Sequence, residues 1–260
     1  MWLDEDLSVY KRDLALSNPY VNSPGTLGFA PDPHVMPFLE YLGTFITNPI
    51  SRYPRQPAKS RCCLPFPGGF LLHTGLPNPG ISQVIRQYRQ RWAHAPLPVI
   101  PHLLAETPET VHEMVRKLEG LENVIAVELG LPVNCDVSSL LNFLESASGE
   151  YPVIVSLSPG QIQRLTETLA THQPAAIHLS AQVGTLVHED GGLISGRLFG
   201  PSFFPLTLSA AKTIIDVGLP VIAGCGVYKP EQVKALLDIG TYAVSLHAVL
   251  WGIISTELFE

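Results

Sequence analysis

The sequence lacks basic blocks, long apolar runs and paired cysteine motifs, and each absence narrows its function. Lys and Arg number 16 against 23 Asp and Glu, a net charge of −7, and the cations are scattered. Nucleic-acid binding and membrane-surface binding are therefore disfavoured. Apolar runs fall well short of the ~20 residues of a membrane span. Met1–Asp6 is acidic, which predicts no secretory leader. The four cysteines, Cys62, Cys63, Cys135 and Cys225, form no CxxC spacing, so reduced thiols in a cytoplasmic protein are expected. Only 15% of residues are charged and 46% are hydrophobic, as in an α/β protein whose parallel strands are buried on both faces. No low-complexity tract is present.

What remains is a rhythm. Eight short, mainly apolar runs recur: Asn18–Ser23, Gly43–Asn48, Pro98–Leu103, Val124–Leu129, Pro152–Ser158, Ala175–Ser180, Leu219–Ala223 and Tyr242–His247. Helical patterns separate most of them. Thr107-Pro108-Glu109 and Lys229-Pro230-Glu231 open helices, with Pro in the first turn; Gly240 closes the second of these, and Gly218 closes a helix over Leu206–Val217. Val124–Leu129 is nearly all apolar, broken only by Glu128. Strand-then-helix repetition predicts a single (β/α)₈ TIM barrel over residues 1–260, with chemistry at the C-terminal ends of the strands. Two stretches exceed simple connections: Ser51–Pro79, with six prolines and three glycines, and Ala181–Pro205, with five glycines and three phenylalanines. They are read as loop insertions at about 51–79 and 181–205, the second expected to cover the barrel mouth.

These insertions and the strands beside them resemble the dihydroorotate dehydrogenase family, flavin enzymes of pyrimidine synthesis. Asn18-Pro-Tyr-Val-Asn-Ser-Pro-Gly-Thr-Leu-Gly-Phe29 is similar to NPxxNASGTxGF. Leu42-Gly-Thr-Phe-Ile-Thr-Asn-Pro-Ile50 is similar to GAxVTKTI, and the Gly68–Gly80 stretch to GGMLNAIGLxNPG. Ala126–Leu129 sits where the family has AIELNISCPN, and Pro152–Pro159 resembles PVIVKLSP. Gly196-Arg-Leu-Phe-Gly-Pro201 resembles GGLSGP, and Val221-Ile-Ala-Gly-Cys-Gly-Val227 resembles PIIGIGGI. The motifs run in order over nearly the whole chain.

The resemblance implies an FMN-dependent oxidoreductase of the class 1 type, yet the residues that carry the chemistry are replaced. Asn48 and Ser156 stand at the family's lysines, Leu72 and His102 at asparagines that hold orotate, and Val133 at the loop cysteine that serves as base. Losing an amide partner of a buried polar group costs on the order of 1–3 kcal/mol each. The chain is therefore expected not to oxidise dihydroorotate, and Leu72 and Val133 predict a less polar small-molecule substrate. Cys135, two residues past the aligned base, is the candidate replacement; its plainer reading is a loop thiol without a role, and Asp136 beside it would raise its pKa.

FMN contacts implied by the resemblance fall on Ser23, Gly25, Asn48, Ser156, Gly196, Gly200, Gly224, Cys225, Gly226, His247 and Ala248. An anion is expected at the backbone N–H groups of Gly224–Gly226 and Ala248, after the seventh and eighth strands. Retention of FMN stays open, because His247 could either donate to a phosphate or fill its space. Three strand-end histidines, His102, His178 and His247, raise a competing reading as ligands of Zn²⁺ or Fe²⁺; no strand-end Asp joins them, and Glu106 is the one carboxylate at helical spacing from His102. Family members are commonly homodimers, some with an iron–sulfur partner subunit, and the sequence itself carries no sign of either. The non-enzymatic alternative is a barrel retained as a ligand-binding or regulatory protein.

Overall fold

The computed structural model describes residues 14–59, 62–252 and 256–259; Met1–Asp6, read above as an acidic start, lies outside them. Along the chain run β1 (Tyr20–Asn22), β2 (Phe45–Ile46), β3 (Cys62–Phe66), β4 (Gly69–His73), α1 (Ile81–Ala93), β5 (Val99–Ile100), β6 (His102–Leu104) and α2 (Pro108–Leu118). Then follow β7 (Val127–Gly130), α3 (Val137–Ala147), β8 (Val153–Leu157), α4 (Pro159–His172), β9 (Ala176–Leu179), β10 (Val183–Val187) and β11 (Leu193–Phe199). The chain continues through α5 (Phe204–Asp216), β12 (Val221–Ala223), α6 (Pro230–Asp238) and β13 (Ala243–Leu246).

This is an α/β fold around a curled parallel sheet of seven strands, ordered β1-β13-β12-β9-β8-β7-β6. β2 pairs in parallel with β5, and single parallel bridges tie this pair to its neighbours: Val21 to Thr44, Ile50 to Leu103 and Val99 to Val124. β5 and β6 are one run interrupted at Pro101, which has no N–H to add to a ladder. Each expected strand run overlaps an observed strand. The helices start where local chemistry dictates. Thr107 Oγ1 accepts from the Thr110 N–H at the head of α2, and the Asp136 carboxylate accepts from the Ser139 N–H at the head of α3.

Two apolar cores flank the sheet. The larger lies between strands and helices and includes Phe45, Trp92, Met114, Leu118 and Leu144. The smaller takes Val21, Ile46, Ile100, Ala126, Ile154, Ala176, Ile222 and Ala243, one residue from each of eight successive parallel segments, along with Leu14 and Ala175. Side chains alternate along a strand. The residues two positions further on each segment therefore face the same interior, and these are Ser23, Asn48, His102, Glu128, Ser156, His178, Gly224 and Ser245.

The two insertions are more than loops. β3 and β4 from the first and β10 and β11 from the second form one antiparallel sheet, ordered β10-β11-β4-β3. Prolines and glycines masked these strands in the sequence. Pro65 sits in β3, at the sheet edge, where a missing N–H is tolerated. No helix among the described residues is long and apolar enough to cross a membrane.

Candidate functional site

A cavity of about 440 Å³ lies between the C-terminal ends of the parallel strands and the antiparallel sheet. Its size suits a small molecule. Ser23, Gly25, Asn48, His102, Ser156, Ser180 and His247 line it from the strands and the loops that follow them; Leu72, Gly196, Arg197 and Phe199 line it from the insertions, and Val133 from the loop after β7. The second insertion thus walls the cavity, as expected of a cover.

Beneath the cavity sits a carboxylate that the sequence had presented only as a break in an apolar strand. Glu128 on β7 is fully buried. Its Oε1 accepts from His102 Nδ1 at 2.8 Å and its Oε2 from His178 Nδ1 at 2.9 Å. His178 Nε2 lies 2.8 Å from Ser245 Oγ. Burial alone would raise the Glu128 pKa, but the charge of His178 and the hydrogen bonds from both imidazoles outweigh it and hold the carboxyl well below the usual range. The three side chains come from β7, from the adjacent β6, where His102 pairs in register with Glu128, and from β9, which lies beyond β8.

The three histidines therefore do not converge on a metal. Among the described residues no group of three or more His, Cys, Asp or Glu is arranged to hold an ion. Glu106 pairs instead with Arg55 at 2.8 Å. His247 stands apart from the carboxylate, with Nε2 3.1 Å from Ser23 Oγ and Nδ1 buried without a partner. Burial, with the charges of His178 and Arg197, pushes its pKa down to about 3, so the ring is neutral. Arg197 reaches the same cavity and donates to the Ala181 carbonyl at 3.4 Å; burial lowers its pKa.

Cys135 does not line the cavity. Its thiol is buried in the main core, within 3.4 Å of the Asp136 carbonyl, and burial followed by the Asp136 charge pushes its pKa up to about 11. Of the residues expected around FMN, Ser23, Gly25, Asn48, Ser156, Gly196 and His247 surround the cavity, while Gly200, Gly224, Cys225, Gly226 and Ala248 do not. The latter group explains itself by packing. A Cβ on Gly224 would stand 1.7 Å from the Ser245 carbonyl oxygen, and one on Gly226, at φ +89°, would stand 2.3 Å from the Phe204 nitrogen. Gly200 lies against Gly68 and Gly69. Cys225 and Ala248 belong to an apolar cluster with Phe199, Phe203, Phe70 and Leu72.

These residues do not fit the phosphate end of FMN. Aromatic rings and a buried thiol occupy the place where its anion was expected. Phe199 fills the space between Phe70, Trp251 and His247, with ring centroids 5.4, 5.9 and 6.1 Å away. In the GGLSGP-like motif, Arg197 and Phe199 stand where the family motif has Gly and Ser. The signals that could have pointed to this site were a lone Glu in a buried strand, which demands partners, and the bulky pair inside a motif of small residues.

No model of a known protein family matches the chain. Curated relatives do. It is 26% identical over 268 residues to the dihydroorotate dehydrogenase B (NAD(+)) catalytic subunit of Maridesulfovibrio salexigens, covering 93% of this chain and 86% of that one. To the subunit of the same name from Geobacillus kaustophilus it is 25% identical over 264 residues, covering 92% and 83%. To that from Desulforudis audaxviator it is 25% identical over 256 residues, covering 90% and 83%. The chain is a distant, divergent relative of the dihydroorotate dehydrogenase family.

Proposed function

We propose that this chain is a single (β/α)₈ barrel over residues 1–260 that keeps the frame of a flavin-oxidoreductase-like family, has lost the dihydroorotate site, and binds another small molecule directly in the cavity at the strand ends. The bridges Val21–Thr44 and Ile50–Leu103, and the interior cluster drawn from eight strands, support closure of the barrel. The observation that carries the functional reading is the cavity wall itself. Leu72 and Val133 are apolar, and Asn48, His102 and Ser156 replace the family's lysines and amide, so the clamp for a charged pyrimidine is gone while a built cavity remains.

A second reading keeps FMN, with oxidation of a small molecule other than dihydroorotate. It is favoured by the relatives and by six expected contact residues around one cavity. When bound, FMN would supply hydride acceptance at its ring; the chain's own residues would hold the substrate against it. Colour separates the two readings. On the first, purified protein has no flavin absorbance and gains none with added FMN; bound FMN would establish the second. Both readings expect no turnover of dihydroorotate with an artificial electron acceptor, and a rate within the ordinary enzyme range of ~1–10³ s⁻¹ would overturn both.

A further inference from the structure

Arg197 is a cation without a counter-ion. It stands at a position of the GGLSGP-like motif where the family has Gly, so its charge is this chain's own. Nη1 donates to the Ala181 carbonyl at 3.4 Å, a long bond to a neutral group, and no carboxylate among the described residues pairs with the side chain. Burial disfavours its charge and the Glu128 charge supports it, but both Glu128 oxygens are engaged by imidazoles. Nε and Nη2 have no hydrogen-bond partner among the described residues. Unlike His102 Nε2 and His247 Nδ1, they are not sealed from the cavity that Arg197 lines. On the antiparallel sheet Arg197 pairs with Leu72 of β4 and Val183 of β10, so an apolar side chain flanks it on each side, and all three line the cavity. From the parallel strands come Ser156 and Ser180. Both residues are buried, yet neither hydroxyl has a partner among the described residues and neither is sealed off. Ser180 precedes Ala181, which Arg197 touches, and Ser156 pairs with His178, two residues before Ser180.

We propose that the cavity takes a small monocarboxylate with an apolar body, its carboxylate held by the Nε–H and Nη2–H of Arg197 and by the hydroxyls of Ser156 and Ser180. This rests on the cavity being the ligand site. With Nη1 turned to Ala181, the remaining edge of the guanidinium carries two N–H groups that point the same way, matched to the two oxygens of a carboxylate. A single cation balances one negative charge, which favours a monoanion over a phosphate dianion. Leu72, Val133 and Val183 give the rest of the molecule apolar walls. A guanidinium withdrawn from water is costly unless paired, and so is a carboxylate; bound together, each satisfies the other.

Benzoate is the probe and benzamide its neutral match, each titrated by calorimetry into the whole chain at neutral pH. Benzoate should bind about tenfold or more tightly than benzamide. Arg197→Gln should remove that preference. Arg197→Lys keeps the charge but not the paired N–H edge, and should keep only part of it. Ser156→Ala and Ser180→Ala should each weaken benzoate several-fold. In the native chain, where no variant has to fold, the Arg197 Nε–H proton resonance should move downfield with benzoate and not with benzamide. Equal affinity for the two probes, benzoate binding that leaves the Arg197 resonance in place, or no benzoate binding at millimolar concentration overturns the proposal. Phenyl phosphate binding more tightly than benzoate overturns the monocarboxylate class. Failure of the cavity reading looks different. Benzamide bound as well as benzoate leaves a cavity that takes neutral molecules, whereas flavin absorbance in the purified protein ends the flavin-free reading whichever probe binds.

Discussion

Two layers of the same strands face the same interior with opposite chemistry. The lower holds Val21, Ile46, Ile100, Ala126, Ile154, Ala176, Ile222 and Ala243, all apolar and buried. Two residues along each strand, the upper holds Ser23, Asn48, His102, Glu128, Ser156, His178, Gly224 and Ser245. Most of the upper layer is as buried as the lower, yet it contains a carboxylate and two imidazoles. Burial alone therefore does not choose the residue type. The lower layer stabilises by removing apolar surface from water; the upper can be stable only as a matched set, because each polar group would be costly without its partner.

The largest effect should come from breaking that set at its centre. Glu128→Leu leaves two buried Nδ1–H donors without an acceptor and should destabilise the fold by ~3–5 kcal/mol. Replacing His102, Glu128 and His178 together by apolar residues of similar volume should recover much of the loss, because no orphaned partner remains. Urea unfolding of the two variants checks both. If the triple variant were as unstable as the single one, the upper layer would be needed for packing rather than held for chemistry.

In the lower layer, Ile154→Ala should cost ~2–5 kcal/mol through lost burial and the cavity left behind, and Ile154→Val only ~0.5–1.5 kcal/mol.

Acid should act on Glu128 of the upper layer and on His247 just beyond it. The folded-state pKa of Glu128 is depressed, so its stabilisation is present above the unfolded value of ~4.3 and is lost as pH falls toward its folded value. His247 is depressed to about 3. Below an unfolded value of ~6.5 the unfolded ring takes a proton that the folded ring refuses, so stability falls from there downward. Both signs predict acid lability. His247→Gln should flatten the fall in Tm between pH ~6.5 and ~4.3 and leave the steeper fall at lower pH in place.

The smallest effect is expected at the thiols. Cys135 and Cys225 are buried with pKa values pushed up to about 11, whereas Cys63 is exposed. Iodoacetamide on the folded chain should label Cys63 first, and Cys135→Ala should leave its rate unchanged.

The frame was legible because it follows from local rules. Apolar runs of strand length, Pro in first turns and Gly at helix ends recur often enough to place eight strands, and the ordered motifs pointed to a family that the relatives bear out. The insertions were less legible. Pro65 and the glycines of 51–79 and 181–205 read as loop, and only the pairing of Leu72 with Arg197 and of Cys63 with Leu72 makes them a sheet. Cys135 stood out by its distance along the chain from an aligned position, but the turn before α3 directs its thiol inward.

Alternation of apolar and polar residues and helix capping were determined by the sequence itself, since each depends on neighbours within a few positions. Which polar residues meet was decided by tertiary structure alone. His102, Glu128, His178 and Ser245 are separated by 26, 50 and 67 residues, and only the folded sheet brings both imidazoles to one carboxylate and the Ser245 hydroxyl to His178. The fold likewise puts Phe199 and Phe203 against Cys225 and Ala248, where position after the seventh and eighth strands suggested an anion. A hydrogen bond acts over about 3 Å, so its partner can be named only when the chain has been folded back on itself.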